Sequence, residues 1–138
     1  MDGLLELGRA VLAAQAFSVH VGAELTRLEP GEAELAIPIA PHLGQQNGFV
    51  HGGVISFLVD NAVTFAGGSV LGPNVLTQEI KVSYLKPGRG ERLVARASVV
   101  HSSERQAVSR CDVFAADRAD ESLCATGLGT VTVVEPDR

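Results

Sequence analysis

The fold of this chain is decided by residues 45–71, QQNGFVHGGVISFLVDNAVTFAGGSVL. From Gly52 to about Val70 the stretch is apolar on nearly all sides, which predicts a helix buried in the middle of a domain. The Gly72-Pro73-Asn74 segment that follows would end this helix. Asp60 is the only Asp, Glu, Lys or Arg between Leu35 and Gln78, so one carboxylate stands alone in the predicted core helix.

A carboxylate in so apolar a segment loses hydration, and a partner or a chemical role must compensate for that loss. The plain alternative is a helix residue that points to solvent. Helical spacing places Ser56, Asp60 and Thr64 on one line, which Gly53 and Gly67 extend. If a sheet covers the apolar sides, this polar stripe faces a cleft, where Asp60 can serve as a general base on a bound water. The alternative for both hydroxyls is a bond to a carbonyl of the preceding turn.

The start of the helix is the second candidate feature. Gly52 and Gly53 have no Cβ, so a ligand atom can approach the backbone, and unpaired first-turn N–H groups can stabilise an oxyanion. The alternative is that the glycines only cap the helix. Asp60 lies eight residues beyond Gly52, which is about 12 Å along a helix. One small reacting group cannot touch both, so the spacing predicts a two-fold dimer with antiparallel helices and shared sites.

The rest of the chain predicts a single domain over residues 1–138 with an α+β layout, in which one long curved antiparallel sheet wraps the central helix. A helical N-terminal extension is expected over residues 3–16. In the strand after the core helix, Leu76, Ile80 and Tyr84 are expected on one face and Thr77 on the other. The predicted strands, joined by short turns, cover residues 17–28, 33–39, 76–84, 93–99, 108–116 and 123–134.

Composition excludes several classes of function. The net charge of −5 and the absence of a basic stripe disfavour nucleic acid and an anionic membrane as partners. A central Asp also disfavours a transmembrane role for the core helix. Cys111 and Cys124 show no paired spacing and no signal peptide is apparent, which indicates a cytoplasmic protein with buried thiols. The four histidines show no ligand spacing with either cysteine, so no metal site is expected.

Residues 45–53, followed by Leu58-Val59-Asp60, resemble the hotdog-fold acyl-CoA thioesterases, and most of all the branch that includes the phenylacetate-pathway thioesterases. The segment Thr77–Pro87 is similar to the strand that follows the helix in that family. The resemblance covers roughly residues 17–134. It implies the hotdog fold, dimers commonly paired into tetramers, and hydrolysis of an acyl-CoA thioester. It implies no cofactor, because coenzyme A is part of the substrate.

The resemblance also implies roles for individual residues. Asp60 would be the catalytic carboxylate, the Gly52 N–H would polarise the thioester carbonyl, and His51 would shape the loop beside it. Thr64 would help to place the water, and Thr77 matches a hydroxyl position near the nucleophile. The catalytic set further includes Gln45, where relatives carry Asn or Gln. Implied substrate contacts are Asn47, Gly48 and Gly53, and candidate contacts for the CoA phosphates are Lys86, Arg89 and Arg105, whose alternative is ordinary solvated turn charge.

The acyl group is predicted to be small or aromatic, since Gln45 matches aryl- and hydroxybenzoyl-type relatives and Asp60 the phenylacetate-like branch. Phe57, Val63 and Phe65 would also fill the space beside the polar stripe. Asp60 can act as a general base on water or as the nucleophile itself. The alternatives to a thioesterase are a non-catalytic acyl-CoA-binding sensor, a hotdog-type hydratase and a structural dimer without a ligand.

Overall fold

The computed structural model describes residues 2–135. One antiparallel sheet carries all six strands in the order β1-β2-β4-β5-β6-β3, and the longest helix packs against it, as the α+β hotdog arrangement requires. The helices are α1 (Asp2–Ala13), α2 (Ala16–Val21) and α3 (Gly52–Leu71), with a short 3-10 turn at Pro41–Leu43. The strands are β1 (Glu24–Glu29), β2 (Glu32–Pro38), β3 (Val75–Tyr84), β4 (Arg92–Ser102), β5 (Gln106–Asp117) and β6 (Asp120–Val133).

Helix α3 is the core helix, and its bounds confirm the prediction. Leu58, Val59 and Val63 on this helix are fully buried. Its length and mean hydropathy of 1.6 would also suit a membrane span, but 56% of its most apolar 18-residue stretch is buried inside the domain. The apolar character of α3 is therefore explained by burial against the sheet.

Glycines let α3 lie very close to β6. A Cβ added at Gly127 would lie 2.7 Å from Val59 Cγ1, and one added at Gly129 would lie 2.9 Å from Val63 Cγ2. On the helix side, a Cβ at Gly67 would collide with the side chain of Val131. Gly67 therefore faces the sheet, and its predicted place on the polar stripe is wrong.

This close approach predicts that Gly67→Ala destabilises the protein by about 1–3 kcal/mol, because overpacking a filled core costs that much. Gly3→Ala is the matched control, since it also adds a methyl group to a helical glycine but a Cβ at Gly3 meets nothing within 4 Å. Urea unfolding of both variants measures the difference. A Gly67→Ala protein as stable as the Gly3→Ala protein would contradict this prediction, because β6 would then move away from α3 with no loss of stability.

The segment from residue 17 to residue 21 is helical, and the predicted strand there is wrong. Phe17 and Val19 are exposed, whereas Ser18 and Val21, which lie three residues apart, are buried. The sequence alternates as a strand would, but the burial follows helical spacing. Gly22, with φ +78°, ends α2. The N-terminal helix, expected over residues 3–16, ends at Ala13, and Ala16 already belongs to α2.

Strand β3 contains a bulge that changes which side chains face the helix. The pairing with β6 shifts between Thr77 and Glu79, so that Gln78 is the extra residue. Ile80 faces the core as predicted, but Leu76 is 62% exposed, and Thr77 turns inward. The expectation that Leu76 shares a face with Ile80 is thus wrong, because a bulge inverts the alternation of side chains beyond it.

The two edges of the sheet differ. One side of the β3 backbone has no strand partner among residues 2–135. At the opposite edge, β1 carries a bulge between Leu25 and Arg27, and the Arg27 side chain pairs with Glu29 and Glu32. Helix α1 also contacts this edge, where Arg9 Nε donates a hydrogen bond to the Leu25 carbonyl at 3.0 Å.

Both cysteines are fully buried and unpaired, as predicted. Burial, with a smaller contribution from the Asp112 carboxylate, raises the pKa of the Cys111 thiol to about 12, and burial also raises the pKa of the Cys124 thiol. We therefore expect iodoacetamide at pH 8 to leave both thiols unmodified in the folded protein, because the reactive form is the thiolate. Mass spectrometry before and after unfolding in urea measures this, and rapid double alkylation of the folded protein would contradict it.

Candidate active site

The Asp60 carboxylate lies half-buried in the middle of α3 and is held from the sheet. Thr77 Oγ1 donates a hydrogen bond to Asp60 Oδ1 at 2.5 Å, which the β3 bulge makes possible by turning Thr77 inward. Asp60 Oδ2 accepts no hydrogen bond from the residues that the structure describes. One carboxylate oxygen is therefore fixed, and the other is free for a water or a substrate.

Thr64 lies beside this pair. Its Oγ1 is 2.9 Å from Thr77 Oγ1, 2.7 Å from the Asp60 carbonyl oxygen and 3.4 Å from Asp60 Oδ1. A hydroxyl has only one proton to donate. With the Thr77 proton on the carboxylate, Thr64 donates its own proton to the Asp60 carbonyl of the preceding turn, which is its shortest contact. The bond to the preceding turn, weighed above as the alternative, is thus present, and Thr64 still lies next to the carboxylate.

The start of α3 distinguishes its two glycines. His51 is the N-cap residue, and its Nδ1 accepts a hydrogen bond from the Gly53 N–H at 2.8 Å. The Gly52 N–H has no acceptor within residues 2–135. Because Nδ1 is an acceptor, the ring proton of a neutral His51 lies on Nε2. The geometry therefore leaves the Gly52 N–H, and not that of Gly53, free to bind an oxyanion.

Tyr84 completes the helix start and was not among the predicted site residues. Its hydroxyl forms a short hydrogen bond with Ser56 Oγ and donates to the Gly52 carbonyl at 3.2 Å. Its ring lies 3.4 Å from where a Cβ at Gly52 would be. Ser56 of the polar stripe thus binds Tyr84 rather than Asp60. The inward-facing position of Tyr84 in the alternation of β3 was the signal that could have identified it.

The loop before His51 is organised by Gln45. Its Oε1 accepts hydrogen bonds from the backbone N–H of Asn47 at 2.5 Å and of Phe49 at 3.3 Å. Gly48 occupies the left-handed region, with φ +86°, and Asn47 and Gly48 are exposed. Within one chain Gln45 makes no hydrogen bond to Asp60, so its observed part is to shape the loop that carries His51.

The predicted site residues therefore form two groups in one chain. Gln45, His51 and Gly52 lie at the start of α3, and Asp60 and its two threonines lie in the middle. Eight residues separate Gly52 from Asp60, about 12 Å along the helix. No hydrogen bond among the described residues joins the two groups.

The candidate phosphate-binding cations do not form one cluster. Lys86 and Arg89 line a cavity of about 650 Å³ that they share with three acidic residues, Asp117, Asp120 and Glu121. Arg105 lies in the β4–β5 turn, at the other end of the sheet, where it pairs with Glu135 at 3.1 Å. Within residues 2–135, no group of three or more His, Cys, Asp or Glu side chains lies close enough to bind a metal ion.

Comparisons with known proteins show the family to which the chain belongs. Residues 47–122 match the family model described as the thioesterase superfamily. The chain is 30% identical to the medium/long-chain acyl-CoA thioesterase YigI of Escherichia coli K12, over 70% of this chain and 74% of the relative.

Solved structures agree in fold and confirm the resemblance to the phenylacetate-type thioesterases. A thioesterase family protein from Silicibacter pomeroyi superposes with a TM-score of 0.89 and 33% identity, covering 95% of this chain and 98% of that one. A mutant of the phenylacetic acid degradation protein PaaI from Thermus thermophilus superposes with a TM-score of 0.78 and 30% identity, covering 87% and 100%. The chain therefore belongs to the thioesterase superfamily and has its hotdog fold.

Proposed function

We propose that this protein hydrolyses acyl-CoA thioesters in the cytoplasm, with Asp60 as the catalytic carboxylate. The observation that carries the proposal is that Thr77 donates a hydrogen bond to one oxygen of this carboxylate, whereas the other oxygen is free. Membership in the thioesterase superfamily supports the reaction, and the relative named as an acyl-CoA thioesterase supports the CoA ester as substrate. No cofactor is part of the proposal.

In the proposed reaction Asp60 Oδ2 removes a proton from water while the water oxygen bonds to the thioester carbonyl carbon. The carbonyl oxygen becomes an oxyanion, which the Gly52 N–H and the positive end of the helix dipole stabilise. The C–S bond then breaks, and the CoA thiolate takes the proton from Asp60. Direct attack by Asp60 would instead form a mixed anhydride between the acyl group and the carboxylate, with cleavage of the C–S bond and departure of the CoA thiolate. Water then hydrolyses the anhydride to the free acid and the Asp60 carboxylate, and the released proton goes to the thiolate.

This reaction needs two chains, and we propose a homodimer in which β3 pairs with β3 of a second copy. The supporting observations are the unpaired β3 edge, the free Gly52 N–H and the axial offset of about 12 Å. Leu76 and Tyr84 lie on opposite faces of β3 and are both exposed, so the second copy can cover them. Two such dimers are proposed to pair into a tetramer, as the resemblance to the hotdog-fold thioesterases implies.

The proposed acyl group remains small or aromatic, extending to medium chain lengths. Similarity to PaaI supports the aromatic class, and similarity to YigI, which is named for medium and long chains, supports an extension in length. For the nucleotide end of CoA, Lys86 and Arg89 are the stronger candidates because they line a cavity together. Of the three acidic residues in that lining, Glu121 is already paired with Arg96. Arg105, which is already paired with Glu135, is the weaker one.

The proposed function is tested by CoA release. The purified protein is incubated with acetyl-, hexanoyl-, octanoyl-, palmitoyl-, benzoyl- and phenylacetyl-CoA, and the free thiol is titrated. We expect turnover with the short, medium and aromatic esters and little with palmitoyl-CoA. Acyl-CoA binding without thiol release from any ester would contradict hydrolysis and identify a non-catalytic acyl-CoA-binding protein.

A further inference from the structure

We propose that helix α1 forms one wall of the acyl-binding pocket, and that Leu7 and Val11 on it set the length of the acyl group; this rests on the proposed function. A cavity of about 290 Å³ lies between α1 and the second half of α3. Its lining combines apolar side chains of α1 with residues of α3, among them Leu4, Leu7, Val11, Asn61, Thr64 and Phe65.

The cavity lies next to the candidate catalytic group, although Asp60 itself is not part of its lining. Thr64 lines it, and Thr64 Oγ1 is 3.4 Å from Asp60 Oδ1. Asn61, the neighbour of Asp60 in the chain, lines it as well. A thioester carbonyl placed beside the Asp60 carboxylate would therefore lie within one helical turn of this cavity. The acyl chain is the part of the substrate that could enter it.

The polar side chains of the lining, Gln15, Asn61, Thr64 and Ser69, have hydrogen-bond partners within the protein. Gln15 Oε1 accepts hydrogen bonds from Ser18 Oγ at 2.6 Å and from Asn61 Nδ2 at 3.5 Å, and Asn61 Nδ2 also lies 3.3 Å from Ser18 Oγ. These groups therefore make no strong demand for a polar ligand. The remaining wall is mainly apolar, as acyl groups require.

The size of the cavity restricts the acyl group. Ligand pockets usually occupy about 300–1,000 Å³, so 290 Å³ lies at the lower end of that range. This volume suits a phenylacetyl group or an acyl chain of medium length.

Helix α1 is held firmly enough to serve as a wall. A Cβ at Gly8 would lie 2.6 Å from Leu25 Cδ2 and 2.7 Å from Leu28 Cδ2, so α1 approaches β1 as closely as only a glycine permits. Leu7 and Val11 line the cavity but are 59% and 43% exposed. Their apolar surface is thus not needed to fill the core, and it is open to contact with a ligand.

The test fills the cavity from the α1 side. Val11→Trp adds bulk to the lining, and Ala10→Trp adds the same side chain at an exposed position of α1 that does not line the cavity. Dissociation constants are measured by calorimetry for non-hydrolysable S-ethyl-, S-hexyl- and S-octyl-CoA. The values of kcat/KM are measured for acyl-CoAs of the same lengths.

We expect Val11→Trp to weaken binding of S-octyl-CoA at least tenfold and to leave the binding of S-ethyl-CoA unchanged. The control variant Ala10→Trp should bind both ligands as the parent protein does. Val11→Ala, which enlarges the cavity, should move the preferred length upward, and it serves as the test if the Trp variant does not fold.

Two results would overturn the inference: a parent protein that binds S-octyl-CoA no better than S-ethyl-CoA, or an unchanged length profile in the Val11 variants. If binding depends on alkyl length as expected but no ester releases CoA, the pocket is supported and the proposed hydrolysis is contradicted. If CoA is released but the length dependence is the same in the Val11 variants as in the parent, hydrolysis is supported and the pocket is contradicted.

Discussion

Replacing Asp60 by Asn should lower kcat by about 10²–10⁴-fold, the usual loss when a general base is removed. The amide has nearly the size of the carboxylate, and its oxygen can still accept the hydrogen bond from Thr77. The fold and the assembly should therefore persist, while the group that removes a proton from water is absent. Titration of released CoA measures kcat, and circular dichroism and gel filtration check the fold and the assembly.

The chain offers a matched control for this change. Asp112 on β5 is also half-buried, and its Oδ1 accepts a hydrogen bond from Thr126 Oγ1 at 2.7 Å, so it repeats the Asp–Thr pair away from α3. Asp112→Asn should leave kcat close to that of the parent. A kcat of the correctly assembled Asp60→Asn protein within a few-fold of the parent would remove Asp60 from the mechanism.

Mixing two inactive variants should restore activity. The first variant is Asp60→Asn and the second is Gly52→Pro, which lacks the N–H proposed to bind the oxyanion. In a mixed dimer, Asp60 of the second chain faces the intact Gly52 of the first, so one of the two sites works. Random pairing of equal amounts makes half of the dimers mixed, and about a quarter of the parent activity should return, since a two-fold dimer holds two equivalent sites.

Proline is a suitable probe at this position. Gly52 is the first residue of α3, where proline is well tolerated. The preceding His51, at φ −62° and ψ 136°, already has the extended conformation that a following proline demands. Gly52→Ala is the control, because it adds a Cβ but keeps the N–H, and it should retain far more activity than Gly52→Pro. Full loss in the mixture, with mixed dimers proven by mass spectrometry, would argue for sites built within one chain.

Several features of the site followed from sequence patterns. The bounds of α3, its polar residues and the burial of both cysteines depend on local spacing and composition, which the sequence displays directly. Asp60 was found because it is the only charged residue in a long apolar segment. The separation of Asp60 from Gly52 followed from helix geometry alone.

Other features depend on contacts between distant segments and were not predictable in this way. The bulge that turns Thr77 toward Asp60 arises from the register between β3 and β6, and strict alternation in the sequence hides it. Helix α2 alternates like a strand, and only its packing against α3, through Ser18 and Asn61, shows otherwise. Gly67 lies near the polar stripe by spacing, but Val131 of β6 determines which way it faces.

The difference between the two sheet edges has a consequence for how the protein avoids forming fibres. An unpaired strand edge is a template that further chains can extend without limit. If two copies join through β3, each chain uses the one regular open edge that residues 2–135 present, and the outer ends of the joined sheet are both β1. That strand is bulged between Leu25 and Arg27 and carries paired charges, features that block further strand addition. The same edge that completes the site would thus also terminate growth of the sheet after two chains.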